Sequence, residues 1–162
     1  MGIQVTVLRP DSTVASLQDE IAAGLVDAAQ KAAIAAYGKI DADGTVDVRE
    51  YDEDFDNGLA VAKQVAADTT ADKDLLVLIA DGVSNDRPRA EQLLSDLAAD
   101  GNFVVVVDVN QQPTADLTEW LTYLDDSSPF ANNVDVRSTE DLGNAKAYEE
   151  VAGWARKNGV NA

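Results

Sequence analysis

Two uninterrupted apolar runs, residues 75–80 (LLVLIA) and 103–107 (FVVVV), constrain this chain more than any other feature. Each is too short for a typical buried helix, and polar, turn-forming residues bound it. Continuous apolar runs of this length fit central strands covered on both faces. Three further stretches read as strands. Residues 3–8 (IQVTVL) open the chain; residues 45–51 alternate Val46 and Val48 with Asp47 and Arg49; residues 133–137 place Val134 and Val136 on one side.

The segments between these strands carry helical spacing. Residues 12–37 place Leu17, Ile21, Leu25, Ala28 and Ala32 on one face, and Gly38 marks a stop. Residues 58–67 carry Leu59, Ala62, Val65 and Ala66. Asp86 caps a helix with Pro88 in its first turn, Leu93, Leu94 and Leu97 inward and Gly101 at its end. Residues 114–124 place Leu117, Trp120, Leu121 and Leu124 on a face. Ser138-Thr139-Glu140-Asp141 resembles a cap, opening a helix through Ala145, Tyr148, Ala152 and Ala155 to Gly159. Alternation of strand and helix predicts a three-layer, doubly wound, Rossmann-like α/β fold. It has a mostly parallel sheet of about five strands with helices on both faces. The 162 residues suit one domain over 1–162.

Composition narrows the chemistry. Thirty acidic residues against 12 basic ones give a net charge of −18. That field repels nucleic-acid phosphates and anionic membranes, and favours solubility, high-salt tolerance or a basic partner. With no Cys and no His, disulfides, thiolate nucleophiles, Cys/His zinc sites and Ser-His-Asp triads are excluded. No segment is apolar for the ~18 residues a membrane span needs. Met1-Gly2-Ile3-Gln4 leads straight into a strand, without signal-peptide or myristoylation character, so a cytoplasmic location is expected.

In an open α/β sheet, ligands sit outside the carboxyl ends of the strands. Those ends hold Asp11, Ser12 and Thr13; Asp52, Glu53 and Asp54; Asp81, Gly82, Ser84 and Asn85; and Asp108 and Asn110. Asp11, Ser12, Thr13, Asp81 and Asp108 could converge on Mg²⁺, which needs one or two carboxylates and keeps several waters. Helix capping and turn formation account for the same residue types. The loop after the first strand lacks the glycines of a phosphate-binding loop. A phospho-acceptor receiver needs an acid pair after the first strand and a Lys after the fifth; Asp11 stands alone and Arg137 takes the Lys place. Asp41-Ala42-Asp43-Gly44 starts like a calcium loop, but Asp52 occupies the place of its bidentate Glu, so a turn is the better reading. Trp120, Tyr123 and Trp154 read as packing residues.

The run from Leu75 through Asp81-Gly82-Val83-Ser84-Asn85-Asp86 resembles the fourth-strand signature of von Willebrand factor A domains, where an apolar strand ends in Thr-Asp-Gly. Residues 41–48 and 51–55 resemble the second-strand region of that family. Leu124-Asp125, residues 132–136, Tyr148 and Trp154 resemble its bacterial copine-like branch, found beside tellurium-resistance and stress proteins. The likeness spans most of residues 38–160. It implies a non-catalytic protein-binding module with a divalent cation, possible Mg²⁺, held by Asp11, Thr13 and Asp81. The family pattern is incomplete: Asp11 to Ala15 matches Asp-x-Ser-x-Ser only as Asp-x-Thr-x-Ala, Ala80 replaces the Thr before Asp81, and the chain is short between Phe55 and Gly58, with no clear counterpart of the loop Thr. The resemblance therefore implies a degenerate metal-ion-dependent site with weak or lost cation dependence. The rim residues Ser12, Gly82, Ser84, Asn85, Asp108 and Asn110 are the expected partner contacts.

Residues 101–108 also resemble the amino-terminal lobe of type I periplasmic binding proteins, which implies small-molecule binding between two lobes. The lack of Cys and His and the weight of Ala, Asp and Val permit, without showing, an engineered α/β domain.

Overall fold

A computed structural model describes residues 2–160; Met1, Asn161 and Ala162, which the sequence reading includes in the domain, lie outside the described residues. Five strands form the sheet: β1 (Ile3–Pro10), β2 (Asp47–Tyr51), β3 (Lys73–Ala80), β4 (Phe103–Asp108) and β5 (Val134–Ser138). All pairings are parallel, in the order β2-β1-β3-β4-β5. The two apolar runs form the interior strands β3 and β4, and both are buried almost throughout. The α/β architecture read from the sequence is therefore the observed one.

Six helices connect the strands: α1 (Gln18–Ala22), α2 (Leu25–Tyr37), α3 (Phe55–Asp68), α4 (Arg87–Ala99), α5 (Ala115–Thr122) and α6 (Ala145–Lys157). Strand register sorts them onto two faces. Leu78, Val106 and Val136 lie in one cross-strand row, and Gly58 of α3 sits close against Leu78. Asp135, one residue before Val136, points to the opposite face, where Tyr37 of α2 and Glu150 of α6 surround it. Chain direction across the sheet reverses between β1 and β3, the position where doubly wound folds open a crevice.

Three local expectations are corrected. Residues 12–37 do not form one helix. A 3-10 turn (Ala15–Leu17) and the short α1 precede Gly24, whose φ of 79° breaks the ladder before α2. The break shifts the helical phase, so Val26, Ala29, Ala33 and Tyr37 face the core in α2 while Ala28 is exposed. Ser138 does not cap the last helix. Its hydroxyl accepts from the N–H of Asp141 in a 3-10 turn (Glu140–Gly143), and Asn144 caps α6 instead. The helix expected over 114–124 ends at Thr122 and continues as a π-helical turn (Tyr123–Ser127). Asp41 does form a turn: its carboxylate accepts from Asp43 N–H (2.9 Å) and, across the chain, from Val5 N–H (2.8 Å).

Candidate functional site: the carboxyl rim of the sheet

Parallel strands deliver their carboxyl ends to one rim, and the reversal at β1/β3 puts the loops after those two strands beside each other. After β1, the side chain of Asp11 folds back on its own turn. Oδ1 accepts from the N–H of Thr13 (2.8 Å) and from its hydroxyl (2.6 Å). Thr13 Oγ1 in turn accepts from the N–H of Glu53 (3.1 Å), and Asp11 N–H donates to the carbonyl of Tyr51 (2.9 Å). Glu53 holds a φ of 65°, the only positive value at a non-glycine among the described residues. Ser12 is exposed, with its carbonyl accepting from Gln18 Nε2 (2.8 Å).

After β3, Asp81 is 3% exposed. Its Oδ1 accepts from Val83 N–H (2.9 Å), but its Oδ2 is buried with no hydrogen-bond partner. A buried polar atom left unpaired is uncommon and calls for an explanation. Gly82 follows at φ 76°, and its carbonyl accepts from Trp120 Nε1 (3.1 Å). Trp120 stacks on Tyr123 (centroids 5.9 Å apart) and lies under the Arg87 guanidinium (4.8 Å), so the aromatic pair buttresses the loop from below.

The next residues are spent on fastening. Ser84 Oγ donates to Asp56 Oδ1, Asp86 N–H to Asp56 Oδ2 (2.8 Å), and Asn85 Nδ2 to Asp54 Oδ2 (2.6 Å). Asp54 also caps α3 by accepting from Asn57 N–H (2.9 Å). Ser84 and Asn85, read from sequence as partner contacts, thus tie the β3 loop to the start of α3. Asp54→Ala is expected to cost about 1–2 kcal/mol, the loss of an N-cap plus a charged hydrogen bond. Urea denaturation checks this, and an unchanged midpoint would contradict it.

Five carboxylates gather around the crevice. Tyr51, whose hydroxyl donates to the carbonyl of Ile79 (2.7 Å), has its pKa pushed well above the ordinary phenol value. Burial is the largest cause, followed by the charges of Asp81, Asp54 and Asp11. On the other side, Asp108 is raised by burial, partly offset by the N–H of Asn110, and raised further by Asp81 and Glu20. Asn110 Oδ1 is occupied by Gln112 N–H (2.9 Å), and Glu20 Oε2 accepts from Gln111 N–H (3.2 Å). Among the described residues, no ion pair reaches Asp11, Glu20, Asp54, Asp81 or Asp108. Donors from the backbone and from neutral side chains hold the rim together; no cation neutralises it.

The structure therefore brings Asp11, Thr13, Asp81 and Asp108 to one crevice. Asp54, read from sequence at the end of the second strand, joins them, as do Glu20 and Tyr51, which the sequence leaves unannounced because each lies on a different element. The fit to Mg²⁺ is partial: Asp81 Oδ2 is free, but Asp11 Oδ1 is engaged by Thr13. Among the described residues, no three carboxylates are grouped closely enough to hold a metal ion. No helix among the described residues is long and apolar enough to cross a membrane.

Fold and rim together define an open, doubly wound α/β protein with an acidic crevice at its switch point. Compared with protein-family models and with curated proteins, the chain matches none.

Proposed function

We propose that the chain is a non-catalytic protein-binding module, von Willebrand A-like in its β3 loop, that recognises a basic partner through the crevice around Asp81. One observation carries this reading: Asp81 is a buried carboxylate with an unpaired oxygen at the topological switch point, among acids that have no cation. Leaving that oxygen unpaired costs stability, and because it is buried, the carboxylate acts on a partner's ammonium or guanidinium through the field of the crevice. Val83, one residue beyond Gly82 and exposed, adds an apolar contact. Without His or Cys, the rim has no Ser-His or Cys-His pair for covalent catalysis. Recognition by the acidic rim itself makes a divalent cation dispensable.

Calorimetric titration with tetralysine amide tests the proposal. Binding is expected to weaken with salt and to weaken about tenfold in Asp81→Asn, which removes one charge from the crevice. Millimolar Mg²⁺ or Mn²⁺ is expected to leave it no stronger. Unchanged affinity in Asp81→Asn would overturn the reading; affinity that requires the cation would restore a metal-dependent one.

A cleft favours a second reading, small-molecule binding. It has a volume of about 340 Å³ and lies between the ends of β4 and β5, lined by Asp108, Leu121, Thr122, Asp125 and Val136 among others. That volume falls within the ~300–1,000 Å³ of small-molecule sites. Native mass spectrometry of the purified protein distinguishes the readings, since a retained small ligand supports only the second.

A further inference from the structure

The two edges of the sheet are treated differently. At β5 the outward N–H of Val136 is capped by Asp125 Oδ1 (2.8 Å), so a side chain closes that edge. At β2 nothing does so. Tyr51 turns its carbonyl toward β1, where Asp11 N–H meets it. Backbone direction alternates along a strand, so Asp47 and Arg49 also face β1, while Val48 and Glu50 present their N–H and C=O groups outward. Both residues are exposed, Val48 at 37%, and no side chain or loop among the described residues bonds to either. An open row of donors and acceptors is a template for another strand.

Charge decides the occupant. Acids flank β2 at both ends: Asp41 and Asp43 before it, Asp52, Glu53 and Asp54 after it. Before the strand, a cleft of about 570 Å³ opens, lined by Asp41, Asp43, Thr45 and Asp47. A second copy of a chain with net charge −18 is repelled there, whereas a basic segment is attracted. Charged residues on an edge strand keep like chains apart, and the same charges select an unlike one.

We propose that β2 is a docking edge for an extended, Lys- or Arg-bearing segment of a partner protein. The segment pairs with the outward groups of Val48 and Glu50 and places a basic side chain in the cleft at Asp43, next to Asp47, whose Oδ2 already pairs with Arg49 (3.0 Å). The cleft at Asp43 lies at the opposite end of β2 from the Asp81 crevice, which Asp54 borders. Main-chain pairing supplies affinity, and the acidic ends supply selectivity.

The probe is a seven-residue peptide of alternating Lys and Val, capped at both termini. Hydrogen exchange of the Val48 and Glu50 amides is expected to slow on saturation, with no comparable change at Val83 or Asn110. Val48→Pro removes one outward N–H and leaves the β1–β2 ladder whole, a position where an edge strand tolerates proline. It is expected to weaken the peptide about tenfold with the fold retained. If Val48→Pro does not fold, Glu50→Pro and a peptide N-methylated at alternate residues serve instead, with the same loss expected. Unchanged affinity across these changes, protection at rim amides only, or protection of Val48 and Glu50 by raising the protein concentration alone would overturn the proposal.

Discussion

Gly82→Ala is expected to lower stability by about 2–5 kcal/mol, a large effect for one methyl group. Two causes add. At φ 76° an L side chain meets its own carbonyl, costing about 1–2 kcal/mol. The new Cβ would also lie 2.5 Å from Leu121 Cδ2 and 3.2 Å from its Cγ, so α5 must shift. Leu121 is buried beside Trp120, whose indole N–H holds the Gly82 carbonyl, which leaves the side chain little room to yield. Overpacking of this kind costs about 1–3 kcal/mol. Denaturant unfolding measures the sum. A cycle with Leu121→Ala separates the causes, because the clash vanishes when Leu121 is shortened while the backbone term stays. An unchanged unfolding midpoint in Gly82→Ala would mean that the β3 loop is not clamped by α5.

Asp74→Asn is expected to raise stability at neutral pH by about 1–2 kcal/mol, the pKa shift being discounted for solvent screening. Asp74 lies at the start of β3, 1% exposed, and neither carboxylate oxygen has a partner. The nearby Thr69 hydroxyl gives its proton to Gln4 Oε1 (2.9 Å) and offsets little. Burial pushes the pKa from 3.8 up to about 6. Such a carboxyl binds a proton on folding, so its ionisation opposes the folded state. The penalty is absent below about pH 4, grows through pH 6 and is complete above it. Asp135, pushed up to about 7 by burial and by its hydrogen bond to Glu150 against the opposing charge of Arg137, adds a penalty of the same sign. The parent protein should therefore lose stability between about pH 4 and 7 through these two groups. Asp74→Asn should lose less, its advantage disappearing near pH 4. A gain of equal size at pH 4 and pH 7 would show that ionisation of Asp74 is not the cause.

The fold was legible because its strongest signals are local. The runs at 75–80 and 103–107 are interior strands, and Asp86 and Thr114 cap the helices that follow them. The long amphipathic reading of residues 12–37 failed at Gly24, since an apolar spacing of three and four survives a left-handed break when alanine fills so many positions. The candidate site was half legible. Asp81 and Asp108 announce themselves by ending apolar strands. Glu20 sits on a short helix and meets Gln111, 91 positions away, while Asp54 and Asp56 meet Asn85 and Ser84 from about 30 positions away. No spacing rule encodes such partners, so Ser84 and Asn85 read as free contacts although their bonds are made.

We propose the crevice around Asp81 as the working surface, and amide chemical-shift mapping of the ¹⁵N-labelled protein with tetralysine amide decides whether it is. The largest shifts are expected in Asp11 to Thr13, Asp81 to Val83 and Asp108 to Asn110, all lost together in Asp81→Asn. Shifts spread over the outer helix faces, or concentrated at the opposite end of the sheet near Asp41 and Asp72, would contradict it.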